Sequence, residues 1–241
     1  LTETNFVYGY FGNLIQTEVE GTYSLIEYDR RGRKVSMTSD ATSATDTTTP
    51  RYRYTYNSLN EMTSQTDPNG SITCYAYDKL GRMTNRVVYF NGTTPSTSVN
   101  TCAYSSTSLL NANLVNNWVY DTATNGIGLL DKITGPNSYE KSFTYDTTSR
   151  LQSETTGFGS FVDDYTVKYD YNETNGFQDL TNVKFGVNEV DNFATIKLFD
   201  ANGYLEAVAN ADDPSTVYYT TNDMTERGQV NEFTYGNQLK T

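Results

Sequence analysis

The sequence contains no histidine, a single tryptophan and two cysteines among its 241 residues. Without histidine, neither a Ser–His nor a Cys–His catalytic relay can be built. Two isolated thiols cannot hold a structural zinc ion without histidine ligands. No apolar run approaches the roughly 18 residues that a membrane-spanning helix needs. We therefore predict no catalytic residue, no metal ligand, no cofactor and no membrane insertion by this segment.

Cations are also scarce, since 17 Lys and Arg residues face 29 Asp and Glu residues and the net charge is −12. Nucleic acids and anionic membranes attract proteins through clusters of basic side chains. The composition thus predicts no nucleic-acid partner, and a solvated acidic surface accounts for the charge.

The chain is instead rich in aromatic residues of one kind, with 21 Tyr and 11 Phe. Tyr and Thr fit a half-buried, pleated surface, and Asn, Gly and Asp fit turns. Regular helical periodicity is absent. The longest candidate, residues 108–118, reads equally as a weak helix or an inserted loop. The composition predicts an all-β chain of many short strands.

One short pattern recurs along the chain, as in "IEYDRRGRKV", "YTYNSLNEMT", "YAYDKLGRMT", "FTYDTTSRLQ" and "KLFDANGYLE". The Asp or Asn side chain can accept hydrogen bonds from backbone N–H groups two residues on, which favours a turn. Glycine then occupies the position that needs a positive φ, where a type I turn is closed by a bulge. Each copy therefore predicts a hairpin corner.

The strands that enter these corners carry aromatic residues two positions apart, so these residues share one face. We expect that face to be the buried one, because its aromatic residues alternate regularly with polar residues. Five corner tyrosines should accordingly be largely buried: Tyr28, Tyr56, Tyr77, Tyr145 and Tyr171.

The pattern resembles the YD repeat of the Rhs family, which includes bacterial Rhs proteins, the B and C components of Tc toxins, and teneurins. The resemblance covers nearly the whole chain. The residues that carry it are Tyr28, Asp29, Gly32, Arg33, Tyr56, Asn57, Tyr77, Asp78, Gly81, Arg82, Tyr145, Asp146, Arg150, Phe199, Asp200 and Gly203.

The resemblance implies a continuous, coiled antiparallel sheet of tandem hairpins, a segment of an Rhs-type β-shell. Residues 1–241 would form about nine to ten repeats, some degenerate, and be a fragment of a longer chain. The implied partners are the remaining repeats and an enclosed or presented C-terminal toxic polypeptide. The implied location is secreted or at the cell surface.

Two other function classes stay open. The first is an extracellular adhesion or carbohydrate-binding module, because exposed Tyr beside Asp or Asn could bind glycans. The second is a glycan hydrolase, which needs two carboxyl groups roughly 5–10 Å apart. The adjacent pairs Asp163-Asp164 and Asp212-Asp213 fit this poorly, because neighbouring strand residues point to opposite faces. Cys74 and Cys102 are expected to be two free buried thiols, with a disulfide as the alternative.

Overall fold

The computed structural model describes residues 3–90, 102, 114–159, 164–172, 176–185 and 191–239, all of them in strands, turns or loops. The chain divides into two compact units, Leu1–Trp118 and Val119–Thr241, with the boundary inside strand β9. Eighteen antiparallel strands belong to one sheet, which confirms the predicted all-β antiparallel fold. No helix of the described residues is long and apolar enough to cross a membrane.

The strands are short and follow one another in chain order. Unit 1 contains β1 (Thr4–Tyr8), β2 (Leu14–Val19), β3 (Thr22–Tyr28), β4 (Lys34–Ala41), β5 (Tyr52–Tyr56), β6 (Met62–Thr66), β7 (Ile72–Tyr77), β8 (Met83–Tyr89) and the start of β9 (Leu114–Tyr120). Unit 2 contains β10 (Leu130–Thr134), β11 (Tyr139–Tyr145), β12 (Leu151–Phe158), β13 (Tyr165–Tyr171), β14 (Gln178–Phe185), β15 (Asp191–Phe199), β16 (Leu205–Asn210), β17 (Val217–Met224) and β18 (Val230–Tyr235).

Each predicted corner joins two strands with a β-bulge beside the corner aromatic residue. Tyr77 lies opposite Met83, while Ala76 lies opposite Asn85, so one extra residue is accommodated on the returning strand. The same shift places Tyr145 opposite Leu151. A bulge increases the local twist and re-aims side chains. The predicted bulge at the corners is therefore confirmed.

The two faces of the sheet in unit 1 differ from the prediction. We call the face that carries Tyr28, Tyr54, Tyr56, Tyr75 and Tyr77 the tyrosine face; all five side chains are half-buried rather than buried. The opposite face, here called the small-residue face, carries the more deeply buried side chains: Ser36, Thr38, Ser64, Cys74, Asn85 and Val87. The expectation that the aromatic face is the buried one was wrong.

A loop lies against the small-residue face and explains part of this burial. The Thr38 hydroxyl donates to the carbonyl of Pro50 at 3.1 Å, and the Arg51 guanidinium contacts Glu27 of β3 at 3.5 Å. Asp46 holds the loop together by accepting hydrogen bonds from the backbone and hydroxyls of Thr48 and Thr49. The segment between β4 and β5 thus covers Thr38 and its neighbours.

A disulfide provides a second cover on the same face. Cys74 of β7 is bonded to Cys102, with Cα atoms 5.4 Å apart, so the expectation of two free thiols was wrong. Cys74, Val87 and Tyr89 form a buried cluster that Ile72, Cys102 and Val115 complete. Tyr89 is only 2% exposed. The main core of unit 1 is therefore built around the disulfide.

The candidate helix at residues 108–118 falls partly outside the described residues. Its residues 114–118 belong to strand β9, which pairs with β8 through Val115 and Val87. Pairing with β8 gives the backbone groups of these residues hydrogen-bond partners in the sheet. A short isolated helix, by contrast, is only marginally stable in water. The helical alternative for residues 114–118 was wrong.

Candidate functional site

The hairpin corners form a row along one edge of the sheet in each unit, and this corner row is the candidate functional site. In unit 1 the corners are residues 9–13, 29–33, 57–61 and 78–82. In unit 2 they begin at Asp121, Asp146, Asn172, Asp200 and Thr225. Each corner is closed by a backbone bond from its first residue to the carbonyl of its last, at 2.9 Å from Asp78 N–H to Arg82.

The corner carboxylate satisfies the backbone of its own turn. Asp78 Oδ1 accepts hydrogen bonds from the N–H groups of Leu80 at 2.8 Å and Arg82 at 3.0 Å. Its Oδ2 accepts a bond from Arg82 Nε at 2.7 Å. Asp29 and Asp146 make the same three bonds. The predicted role of the Asp in the turn is confirmed. The structure also shows that the Asp pairs with the corner Arg, which the sequence did not predict.

The fourth corner residue adopts the left-handed conformation at every site predicted from the sequence. φ is +76° at Gly32, +78° at Gly81 and +85° at Gly203. Asn60 and Ser149, which replace glycine, have φ of +69° and +63°. A residue with a side chain is strained there, and asparagine is the least unfavourable substitute.

The corner tyrosines connect successive hairpins through their hydroxyls. Tyr77 donates to the carbonyl of Met62 at 2.9 Å, and Tyr56 donates to the carbonyl of Lys34 at 2.8 Å. In each case the acceptor is the first residue of the returning strand of the preceding hairpin. Tyr28, Tyr145 and Tyr171 bond to Leu14, Leu130 and Leu151 in the same way. Because phenylalanine lacks this donor, the bond explains why tyrosine recurs here.

The corner arginines also reach the next corner. The Arg33 guanidinium lies 4.7 Å from the centre of the Tyr56 ring and donates to the carbonyl of Asn57 at 3.0 Å. Arg150 lies 4.2 Å from the centre of the Tyr171 ring. A cation over an aromatic ring is attracted by the negative face of the ring. Each of these arginines therefore pairs with its own Asp and packs on the following Tyr.

Each corner also packs against the left-handed residue of the next one. Asn13 lies beside Gly32, Arg33 beside Asn60, Glu61 beside Gly81, Arg150 beside Gly176 and Phe177 beside Gly203. A Cβ atom at Gly203 would lie 2.9 Å from Cζ of Phe177. Glycine is thus required both by its φ and by the side chain of the preceding corner.

One pair of corners keeps this contact with different residues. Phe177 takes the place of the arginine and Phe199 the place of the tyrosine, and their ring centres are 5.0 Å apart. An aromatic pair replaces the arginine–tyrosine pair, so the packing is retained without a charge or a hydroxyl. The sequence showed Phe199 as a member of the repeat but gave no sign that Phe177 was its partner.

The environment of the corner shifts the pKa of its ionisable groups. Partial removal of water opposes ionisation of Asp78, but hydrogen bonds from the Arg82 side chain and from the N–H groups of Arg82 and Leu80 outweigh it. The pKa of Asp78 is therefore lowered. Burial raises the pKa of Tyr56 and Tyr77, which keeps both hydroxyls protonated as donors. The groups are held in the ionisation states that the corner contacts need.

The corner row has the features of a structural joint. Among the described residues, no group of three or more His, Cys, Asp or Glu side chains could hold a metal ion. Asp213 of the Asp212-Asp213 pair bonds to Ser215 and Thr216 within its own turn. Asp163 lies outside the described residues. The geometry positions backbone turns against one another.

The corner carboxylates make stability depend on pH. The pKa values of Asp29, Asp78 and Asp146 are lowered in the folded chain, so their stabilisation is present above about pH 4, the unfolded value, and is lost as pH falls below it. We expect the triple variant Asp29→Asn, Asp78→Asn and Asp146→Asn to show a flatter stability profile between pH 5 and about pH 2.

Urea unfolding at successive pH values measures this dependence. The corner at Asn57 serves as the internal reference, because its side-chain oxygen already accepts the N–H bonds of Leu59 and Glu61 without a charge. An unchanged acid profile in the triple variant would contradict the assignment.

Two glycines of unit 2 allow the energetic cost of a positive φ to be separated from the cost of a steric contact. Gly203 and Gly128 have φ of +85° and +84°, but a Cβ at Gly128 meets nothing within 4 Å. We expect Gly128→Ala to cost about 1 kcal/mol from φ alone and Gly203→Ala about 2 kcal/mol, because the Phe177 ring must move. Chemical denaturation of both variants tests this, and equal losses would count against packing between corners.

Replacing Ser149 by glycine should have two opposing effects on stability. Its positive φ favours replacement by glycine, but its hydroxyl donates to the carbonyl of Asn125 at 2.8 Å. Relief of strain and loss of an exposed hydrogen bond are each about 1 kcal/mol. We therefore expect Ser149→Gly to change the free energy of unfolding by less than about 0.5 kcal/mol. A loss above about 1.5 kcal/mol would argue against the assigned register.

Residues 56–94, which include the corner at Asp78, match the family described as RHS Repeat. No curated protein matches the sequence.

Two solved structures that are similar to this chain come from Tc toxins. The structure described as "Crystal Structure of TcdB2-TccC3" matches 100% of this chain with a TM-score of 0.55 at 15% identity. This chain corresponds to 14% of that chain. "Structure of Photorhabdus luminescens Tc holotoxin pore, Mutation TccC3-D651A" also matches, covering 96% of this chain and 15% of that one, at 13% identity and a TM-score of 0.34. The first match shows that this chain shares the fold of part of that structure.

Proposed function

We propose that this RHS-repeat chain is a non-catalytic structural segment of a secreted or cell-surface protein, whose sheet encloses or presents a C-terminal toxic polypeptide. The observation that carries the proposal is the contact between successive corners. Within each unit, successive hairpins are joined by a tyrosine hydroxyl, an arginine or aromatic side chain, or both. Such nearest-neighbour joints allow a sheet to grow repeat by repeat into an extended wall.

Three further features support the proposal. The chain has no histidine and its corner residues are engaged in turn and packing contacts, which fits a structural role. The Cys74–Cys102 disulfide fits a protein that matures outside the reducing cytosol. The fold is shared with part of a TcdB2-TccC3 structure. The further repeats of the parent protein and a toxic polypeptide are the proposed partners.

Protease protection of the parent protein tests the proposal. We expect the polypeptide encoded after the repeats to resist digestion when residues 1–241 are intact. It should become sensitive in the variant Arg33→Ala and Arg150→Ala, which removes the packing on Tyr56 and Tyr171. Arg53→Ala is the matched control, because Arg53 is an exposed strand residue away from the corners.

Equal protease sensitivity in the presence and absence of this chain would contradict enclosure. A downstream membrane or wall anchor in place of a toxic domain would favour the adhesion function instead. Either result leaves the RHS-repeat fold itself unaffected.

A further inference from the structure

The first corner of unit 1 departs from the repeat at several positions. Its sequence, Gly9-Tyr10-Phe11-Gly12-Asn13, has glycine in place of the carboxylate and asparagine in place of the arginine. The turn still closes, with Gly9 N–H bonded to the Asn13 carbonyl at 2.8 Å and Gly12 N–H to the Gly9 carbonyl at 3.0 Å. The turn therefore forms without any contribution from the side chains of Tyr10 and Phe11.

Both aromatic side chains project into solvent, with relative exposures of 106% for Tyr10 and 88% for Phe11. Two adjacent aromatic rings at a turn tip bury almost no apolar surface and so add nothing to folding through the hydrophobic effect. Departures from a local rule without a structural gain occur characteristically at functional sites.

These rings stand at one end of an open groove of about 650 Å³. Its lining also includes Gln16 of β2, Arg30, the loop at residues 44–47 and Arg51. Its volume lies within the range of small-ligand sites, about 300–1,000 Å³. All of its lining residues belong to unit 1.

The charges around the groove compensate one another. Arg51 contacts Glu27 at 3.5 Å and donates to the Asp46 carbonyl at 2.8 Å. Asp29 is paired with Arg33 at 2.7 Å. The remaining lining charges are one cation, Arg30, and the Asp46 carboxylate, which accepts bonds from its own loop. A groove of this kind offers donors and acceptors without a strong field of either sign.

We propose that this groove binds a neutral oligosaccharide. The apolar faces of sugar rings can pack on the exposed rings of Tyr10 and Phe11, and sugar hydroxyls can bond to the side chains of Gln16, Glu27 and Arg30. Aromatic rings with a few convergent polar groups are the usual lining of ligand sites. The compensated charge disfavours phosphate groups and strongly acidic peptides. The site lies at the first two corners of unit 1 and is independent of whether the chain encloses a polypeptide.

Saturation-transfer NMR of the whole chain with cellotriose, maltotriose and chitotriose tests the proposal. We expect transfer to at least one of the three. In the variant Tyr10→Ala and Phe11→Ala, binding should weaken by at least about tenfold, since both rings of the platform are removed. Because these side chains are exposed, thermal unfolding monitored by circular dichroism should be unchanged.

The variant Leu59→Ala and Leu80→Ala is the matched control. These residues occupy the same tip position as Phe11 at two other corners and are 71% and 75% exposed. This variant should bind as the native chain does. The proposal is overturned if none of the three trisaccharides nor any neutral glycan on an array binds, or if binding persists in the Tyr10 and Phe11 variant. Binding only to anionic lipid vesicles or acidic peptides would overturn it as well.

Discussion

We expect the free energy of unfolding of the double variant Cys74→Ala and Cys102→Ala to be roughly 3–4 kcal/mol smaller than that of the native chain. The disulfide closes a loop with a sequence separation of 28 residues. Cross-linking the chain over this distance removes conformational freedom from the unfolded state, and the loss grows with the logarithm of the loop length. Alanine avoids leaving two polar hydroxyls beside Val87 and Tyr89 in the buried cluster.

Urea denaturation with the linear extrapolation measures this difference. The native chain treated with a thiol reductant should approach the stability of the double variant, whereas the variant should not respond to the reductant. A loss below about 1 kcal/mol would show that the bond does not constrain the unfolded chain as proposed. A response of the variant to reductant would show that the measured effect comes from another source.

The second large effect is expected at Tyr77. Truncation to alanine should cost roughly 3 kcal/mol, at the low end of the range for buried aromatic residues, because the side chain is half-buried. Two contributions combine here. The ring leaves the tyrosine face, and the carbonyl of Met62 loses the hydroxyl that lies 2.9 Å away. The conservative variant Tyr77→Phe removes only the second contribution and should cost about 1 kcal/mol.

Tyr75→Phe is the matched control for the hydroxyl. Tyr75 lies two residues before Tyr77 on the same face and is also half-buried, and its hydroxyl makes no hydrogen bond within the described part of the chain. Its replacement should be neutral within about 0.5 kcal/mol. If Tyr77→Phe and Tyr75→Phe behave alike in denaturant titrations, the bond between successive hairpins does not contribute to stability.

The corners could be predicted from the sequence because they are local structures. The Asp side chain, the glycine and the returning strand lie within about seven residues, so turn chemistry alone fixes their arrangement. The backbone confirms this at Asp29, Asp78, Asp146 and Asp200. The turn "DPNG" (residues 67–70) has the same form, with Asp67 accepting bonds from the N–H groups of Asn69 and Ser71.

Contacts between corners were harder to predict, because their partners are 14 or more residues apart in the chain. The recurrence of tyrosine in place of phenylalanine was the available signal for a hydroxyl bond, and the recurrence of arginine was the signal for a cation on the next ring. The sequence could not identify the acceptors, since Met62 and Leu151 contribute only backbone carbonyls, which every residue has.

By itself, the sequence determined the all-β antiparallel fold, the corner positions, the bulges and the left-handed residues, because each follows from short-range sterics and hydrogen bonding. Only the tertiary structure decided which face is more deeply buried and whether the two cysteines pair. Both depend on what lies over the small-residue face, as the contacts of Thr38 with Pro50 and of Cys74 with Cys102 show. A small polar residue is exposed or buried according to what lies over it, and periodicity within a strand carries no information about that cover.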